Sequence, residues 1–317
     1  MTLQLVRKSE GVDFRLLHQA ADRLTPKLRR TLLAAFENLP EAALQPLIAA
    51  LEAGRIDEVI RLLQTVINAT ETAEIAAVLG AVYVAAANLQ GAQFVLRFDI
   101  KNPRAIRWAE SNAGRLITGI EDQLRLPEIR DIIVRGIQDG MAPAVQARHL
   151  RDIIGLSTRD QIAKDNFLRG LLENATTDRQ IAAAEERAAA YGRRLLRARA
   201  ETIARTETIN AASAGQRAAW EDAADAGLID PQTTNIVWVA TEDSRTCVIC
   251  SVLDGETIGF REQFVIRERA VSPKAIQLKD GKFTVPADQR KPLKETMIRD
   301  GPTAHPRCRC GIALVEV

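Results

Sequence analysis

Apolar positions in the first two-thirds of the chain recur at three- and four-residue intervals, the spacing of one buried helix face, and Pro, Gly, Asn and Asp divide the pattern into segments. Leu28, Leu32, Leu33 and Phe36 share a face after Thr25-Pro26, which reads as an N-cap followed by Pro at the first helical position. A second run over 41–53 stops at Gly54. A third turns Ile60, Leu63, Val66 and Ile67 inward behind Asp57, a residue able to cap it. A fourth helix is expected over 72–90.

The pattern lapses over 94–103, where Asn102-Pro103 disfavours helix at Asn102. It returns with Ile106, Ala109, Ala113, Leu116, Ile117 and Ile120, then with a helix opened by Pro127 and closed by Gly140, and another over 143–154. Residues 158–174 and 178–226 read as longer helices. After Gly227 the character changes. Ile236-Val237-Trp238-Val239 is a short strand, Asp254-Gly255 a turn, 261–304 a stretch rich in Lys, Arg, Pro and Gly, and Leu314, Val315 and Val317 a closing strand. The expected fold is mainly α, a helical N-terminal two-thirds followed by a small, irregular α+β C-terminal module with a modest core. By sequence character the regions are 1–95, 96–226 and 227–317.

Composition supports close helix packing. Hydrophobic residues make up 46% of the 317 but aromatics only 4%, so the apolar content is mostly Ala, Leu, Ile and Val. A net charge of +2 gives the whole chain no polyanion-binding character, yet the charge is unevenly placed. Residues 191–220 carry six Arg against two Glu, 221–260 eight acidic residues against Arg245 alone, and 261–310 twelve Lys and Arg against six acids. Such blocks suit docking to a charged partner, or simply make a solvated surface. Residues 1–13 have no secretory apolar core. The uncharged stretch 75–96 is interrupted by Gly80, Asn88, Gln90, Gly91 and Gln93, and its strictly apolar part ends at Ala87, short of the roughly 20 residues of a spanning helix. A buried helix, no membrane partner and synthesis in a cytoplasm are expected.

All four cysteines lie in the last module, as Cys247-x2-Cys250 and, after a long gap, His305-x2-Cys308-x-Cys310. Two thiolates on a tight turn and a second pair from a distant hairpin can complete a tetrahedral zinc site, and loop closure costs little more for a long gap. Disulfides and unligated thiols are the competing readings. Five donors exceed the four of a structural site. Cys247, Cys250, His305 and Cys308 are preferred, because both pairs then share the x2 spacing, with Cys310 able to replace His305. Catalytic zinc needs an open position and a general base. His18 and His149 lie far off in sequence, and Glu242, Asp243, Asp254 and Glu256 read as a solvated turn or a salt bridge between modules. No Gly-rich phosphate loop or Gly-x-Ser-x-Gly elbow occurs.

In 178–226, Ala184, Ala188, Tyr191, Leu195 and Ala198 keep helical spacing, with Arg193, Arg194, Arg197 and Arg199 on the other faces. These arginines could meet DNA phosphates or an acidic partner, or form a solvated face. Arg205 and Glu207, in Arg205-Thr206-Glu207, are expected to join this helix to the C-terminal module by charge-assisted hydrogen bonds.

Several segments, in order, resemble the head-morphogenesis or minor head proteins of Mu-like and related tailed phages. Phe98-Asp99-Ile100 with Asn102-Pro103 and Trp108 is similar to the opening of the family region. Gly136-Ile137-Gln138-Asp139-Gly140, the segment from Ile154 to Arg159, and Asn166-Phe167 continue it. Ala204-Arg205-Thr206-Glu207 resembles its signature. Trp238, Asp243-Ser244-Arg245-Thr246-Cys247 to Cys250, Leu253-Asp254-Gly255 and His305-Pro306-Arg307-Cys308-Arg309-Cys310 resemble its C-terminal module. The likeness covers about 95–317, and 1–95 is assigned by contiguity. It implies a low-copy, non-enzymatic head protein of the virion, present in the host cytoplasm during assembly. Such a protein associates with the portal, with other head proteins and with phage DNA in procapsid assembly and DNA handling. Lys291 and Lys294 are expected in the portal contact. The alternatives are a virion-borne zinc-dependent nuclease or toxin-like domain, and a plain host DNA-binding protein.

Overall fold

The computed structural model describes residues 15–37, 41–55, 57–59, 61–62, 72–92, 97–98, 102–109, 111, 156–241, 246–271, 276–277, 283–306 and 308–316. The helices expected from Pro127 and over 143–154, and the resembling segment 136–140, lie outside the described residues. Contacts divide the chain into one unit of Met1–Thr25, Val78–Trp108 and Ile203–Val317 and a second of Pro26–Ala77 and Ala109–Thr202.

The helices are α1 (Arg15–Glu37), α2 (Glu41–Glu52), α3 (Thr72–Gly91), α4 (Thr158–Leu172) and the 48-residue α5 (Asp178–Asp225). Residues 103–109 are helical as well. One expectation fails here. Thr25-Pro26 does not start a helix, because α1 runs straight through Pro26. The Thr25 hydroxyl lies 3.0 Å from the Ala21 carbonyl, a bond back along the same helix rather than a cap, and 2.8 Å from the Thr208 hydroxyl.

In the second unit, α4 and the first part of α5 form an antiparallel pair. Ser157 caps α4 by accepting from the Asp160 amide. Thr177 and Gln180 open α5 with a reciprocal capping box: the Gln180 side chain accepts from the Thr177 amide at 3.1 Å while the Gln180 amide donates to the Thr177 hydroxyl at 3.4 Å. Phe167 and Tyr191 meet at 4.9 Å between ring centroids. The buried stripe on this half of α5 is Ala184, Ala188, Leu196 and Ala200, with Gly192 against the Lys164 stem. The expected stripe is therefore displaced: Tyr191 and Leu195 are half-buried and Ala198 is exposed. Strict four-residue steps lead the buried face through the small residues, where helices approach most closely.

In the first unit, the second part of α5 packs on the C-terminal strands. These comprise β1 (Thr234–Val239), the short α6 (Cys250–Leu253), β2 (Thr257–Gly259), β3 (Phe264–Ala270), β4 (Ile276–Gln277), β5 (Phe283–Thr284), β6 (Arg290–Arg299) and β7 (Gly311–Glu316). All pairings are antiparallel: a sheet ordered β2-β1-β7, and the pairs β3-β6 and β4-β5. Asp254-Gly255 makes the expected turn, Gly255 taking φ +84°. One apolar cluster joins Trp220 and Ala223 of α5 to Ile236, Trp238, Phe260, Phe264, Ile266 and Ile312, with Trp238 edge-on to Phe264 at 5.2 Å. The module thus shares its core with α5.

On another side of the same unit, α3 packs through Tyr83 with Ala105 and Ala218, and through Ala87 with Phe98 and Ala219. The Asn88 amide holds both backbone groups of Phe98. Arg104 meets Asp222 at 2.6 Å and Asp225 at 3.3 Å. By length and composition α3 could cross a membrane, while Val78, Leu79, Val82, Tyr83, Ala86 and Ala87 are buried within the unit.

Candidate metal centre

Two turns and the residue before β7 carry the Cys and His side chains. Cys247 lies in the turn before α6 and Cys250 is the first residue of that helix. The Cys250 amide points back at Cys247 Sγ, 3.3 Å away, and the Ser251 amide donates to the Cys247 carbonyl. This is the tight turn that the x2 spacing requires. His305 and Cys308 form a second turn, closed by the Cys308 amide on the His305 carbonyl, and Cys310 leads into β7. Because β7 pairs with β1 along its length, the second turn is brought against the first.

The donor atoms converge. Cys250 Sγ is 3.2 Å from His305 Nε2 and 3.6 Å from Cys308 Sγ. Cys247, Cys250 and His305 form one trio with donors within 4.8 Å of one another, and Cys250, Cys308 and Cys310 form another. Cys250 belongs to both. Thiolates at about 2.3 Å from a tetrahedral ion stand about 3.8 Å apart, so the Cys250–Cys308 spacing suits one shared ion. The imidazole is already oriented for a ligand's role. Nδ1 lies 2.8 Å from the Pro306 carbonyl, which can only accept, so Nδ1 carries a proton and Nε2 is the ring atom turned to the sulfurs, where it would offer its lone pair to a bound cation.

The electrostatics of the cage without a cation are strained. Contact with Cys250, and then with His305, pulls the Cys247 thiol down to about 4. Cys308 is likewise held low, first by Cys250 and then by Cys310. Cys250 is pushed up, first by Cys247 and then by Cys308. At Cys310 the contact with Cys250 favours the thiolate, but Cys308 and burial outweigh it and the thiol is raised. His305 is raised to about 10, chiefly by Cys247 and Cys308. Thiolates and thiols alternate because adjacent buried anions repel, and a divalent cation would replace the shared protons. The four cysteines are free thiols. The donor set and its spacing therefore fit a soft or borderline divalent ion such as zinc.

Two further groups frame the cage. The Trp238 indole N–H makes no hydrogen bond of normal geometry, yet it stands near enough to favour a thiolate at Cys310. His18 of α1, set aside on sequence distance, lies beside the backbone of Cys310. Its Nε2 is buried without a hydrogen-bond partner. Asp254 is engaged by the Ala240 amide, which supports its reading as a turn residue; Glu242, Asp243 and His149 lie outside the described residues.

The expected binding residues are placed as follows. Arg193 and Arg197 are exposed, and Arg194 lies 5.0 Å over the Tyr191 ring. Arg199 is half-buried, its charge opposed by burial and supported by Asp160. Lys291 and Lys294 are exposed on β6. Arg205 and Glu207 are half-buried on α5, and Glu207 accepts from the Asn210 amide at 3.3 Å. Asn210 in turn accepts from the Thr303 amide and hydroxyl, while Gln216 donates to the Ile312 carbonyl. Arg217 donates to the carbonyls of Asp300, Phe260 and Glu262. Asn210, Gln216 and Arg217 escaped the sequence reading. Their one signal is three long polar side chains on a face otherwise made of Ala, Ser and Gly.

A family model described as Phage Mu protein F like protein matches residues 127–313, a span that takes in α4, α5 and the whole cage. No curated protein and no solved structure matches the chain significantly.

Proposed function

The chain belongs to the Phage Mu protein F like family, and on that premise we propose that it is a minor head protein of a tailed phage, acting in procapsid assembly and DNA handling through association with the portal. The family relationship supports a phage head-related, virion-associated protein. Within that reading the cage is a structural zinc centre. Its donors come from two turns separated by 54 residues of sequence, and one ion would lock those turns together. A closed set of protein donors suits a structural ion, so the protein acts by docking, not by turnover. The unequal charge of the C-terminal third supports the same reading, since complementary charge sets orientation and encounter rate.

The test is a comparison of phage particles made with and without this chain. The reading expects defective heads, poor packaging or poor infectivity in its absence, and salt-sensitive copurification with the portal. Normal infectious particles without it, together with its absence from wild-type heads, would overturn the proposal.

A further inference from the structure

The β3-β6 ribbon has one face in the core and one in solvent. Phe264, Ile266 and Ala270 of β3 turn inward and are buried. Val265, Arg267 and Arg269 alternate outward and are exposed. On β6, Ile298 stands directly opposite Val265 and Lys291 directly opposite Arg269. The outer face therefore carries an exposed apolar pair, Val265 at 39% and Ile298 at 55% exposure, followed by a cluster of three cations.

Like charges directly opposite in an antiparallel pair destabilise it. The ribbon's two glutamates are placed elsewhere. Glu268, itself exposed, meets Arg290 at 3.7 Å. Glu295 sits in the stretch where the register slips between Ile266 and Glu268. The Arg269–Lys291 pair thus costs stability in the isolated chain, and an anion laid over this face would offset that cost. Arg267 and Arg269, two residues apart, are separated by about 6.6 Å along the strand. That step is comparable to the distance from one phosphate to the next along a nucleic acid strand. A two-stranded ribbon also has a width that the major groove of duplex DNA admits, where apolar side chains contact thymine methyl groups.

We propose that the outer face of this ribbon is a duplex-DNA-binding surface, with Arg267, Arg269 and Lys291 on phosphates and Val265 and Ile298 against the groove. The choice of DNA as the polyanion rests on the phage-head reading; the like-charged pair and the apolar pair do not. The surface uses none of the α5 arginines and none of the Cys/His cluster.

The test measures binding of the full chain to a short arbitrary duplex by fluorescence anisotropy across salt. Each lost phosphate contact should reduce the slope of log affinity against log salt by about 0.9, so R267Q/R269Q/K291Q should lower it by about 2.7. R179Q/R187Q, at two exposed arginines of α5 outside the expected contacts, serves as the comparison and should leave the slope unchanged. Matching thermal midpoints and thiol reactivity show that each variant is folded, and a variant that fails this check is replaced by R267K/R269Q. Absence of duplex binding by the wild type, or an unchanged slope in the ribbon variant, overturns the proposal. So does loss of portal copurification with DNA binding intact, which would make the ribbon a protein-docking face. Failure of the head-protein reading is seen separately, in the particles.

Discussion

Gly215 of α5 lies against the backbone of Tyr83 on α3, so closely that a β-carbon at 215 would overlap the Tyr83 carbonyl oxygen. The obstacle is main chain, which cannot rotate aside, so the two helices would have to separate. Helix propensity favours Gly→Ala by about 1 kcal/mol, while overpacking a core contact costs about 1–3 kcal/mol. Gly215→Ala should therefore destabilise the chain. Gly170 of α4 is the natural contrast, since nothing lies within 4 Å of its added β-carbon. Gly170→Ala should stabilise by up to about 1 kcal/mol. Denaturant titrations of both variants check the opposite signs, and a neutral or stabilising Gly215→Ala would refute the close approach.

Arg217 ties α5 to the C-terminal strands. Its guanidinium is buried and donates to three carbonyls, those of Asp300, Phe260 and Glu262. Truncation leaves these acceptors without their donor, at about 1–3 kcal/mol for a buried group. Arg217→Met should cost at least that much, and Arg217→Lys should rescue little, because one ammonium cannot reproduce the planar fork. Hydrogen exchange should rise near 258–264 and 300–303 before it rises in the α4–α5 pair. Equal stability of the Lys variant and the wild type would count against the three-carbonyl clamp.

These anchors explain why the fold was more legible in the sequence than the way it is tied together. Apolar periodicity marked α2, α3, α4 and α5 almost to their ends, and Ile236 to Val239 marked β1. Cysteine spacing marked the Cys/His cluster because its geometry is local on each side: each x2 turn is a property of a few residues. The pairing of β7 with β1 and the arrival of His18 beside Cys310 depend on tertiary packing across most of the chain, which no local pattern encodes. Thr25-Pro26 misled for a related reason. A hydroxyl that normally caps a helix bonds instead to Ala21 and stands against Thr208, and the helix continues. The buried stripe on α5 was misplaced because Ala occurs on every face of that helix, so periodicity alone could not choose among them.

His18 makes acid sensitivity testable. Burial holds its imidazole below the ordinary 6.5, against the upward pull of Asp22 and the Cys310 carbonyl. The folded state therefore favours the neutral ring, and the unfolded chain takes up the proton first as pH falls. Its contribution is complete above about pH 6.5 and is lost progressively below it. The stability difference between wild type and His18→Gln should shrink or reverse from neutral pH to pH 5, measured at fixed metal content. A difference that does not vary with pH would show that His18 is not held neutral by the fold.

The division of labour within the cage yields the last prediction. Five donors are present, and a tetrahedral ion takes four. Cys250 belongs to both trios, His305 presents an oriented Nε2, and Cys308 is within one tetrahedral edge of Cys250. Cys310 is the donor furthest from this arrangement in role: Cys247 and Cys308 both stand against His305, whereas Cys310 meets Cys250 and Cys308 and has the Trp238 N–H beside it. Chain purified from a reducing cytoplasm should thus carry one zinc. Cys250→Ser should lose stoichiometric metal, whereas Cys310→Ser should keep one ion and weaken its retention by about 10–100-fold, the scale of losing an outer partner. Chelation of the wild type should raise hydrogen exchange in 234–316 while the α4–α5 pair keeps its protection, because the ion ties two turns of the C-terminal module and no part of that pair. Elemental analysis of the wild type and of the Cys250→Ser, Cys310→Ser and His305→Ala variants, with thiol titration before and after chelation, reads out each arm. Metal-free wild type with four reactive thiols would end the zinc reading. Loss of the ion from Cys310→Ser, with retention in His305→Ala, would replace the mixed set by four thiolates.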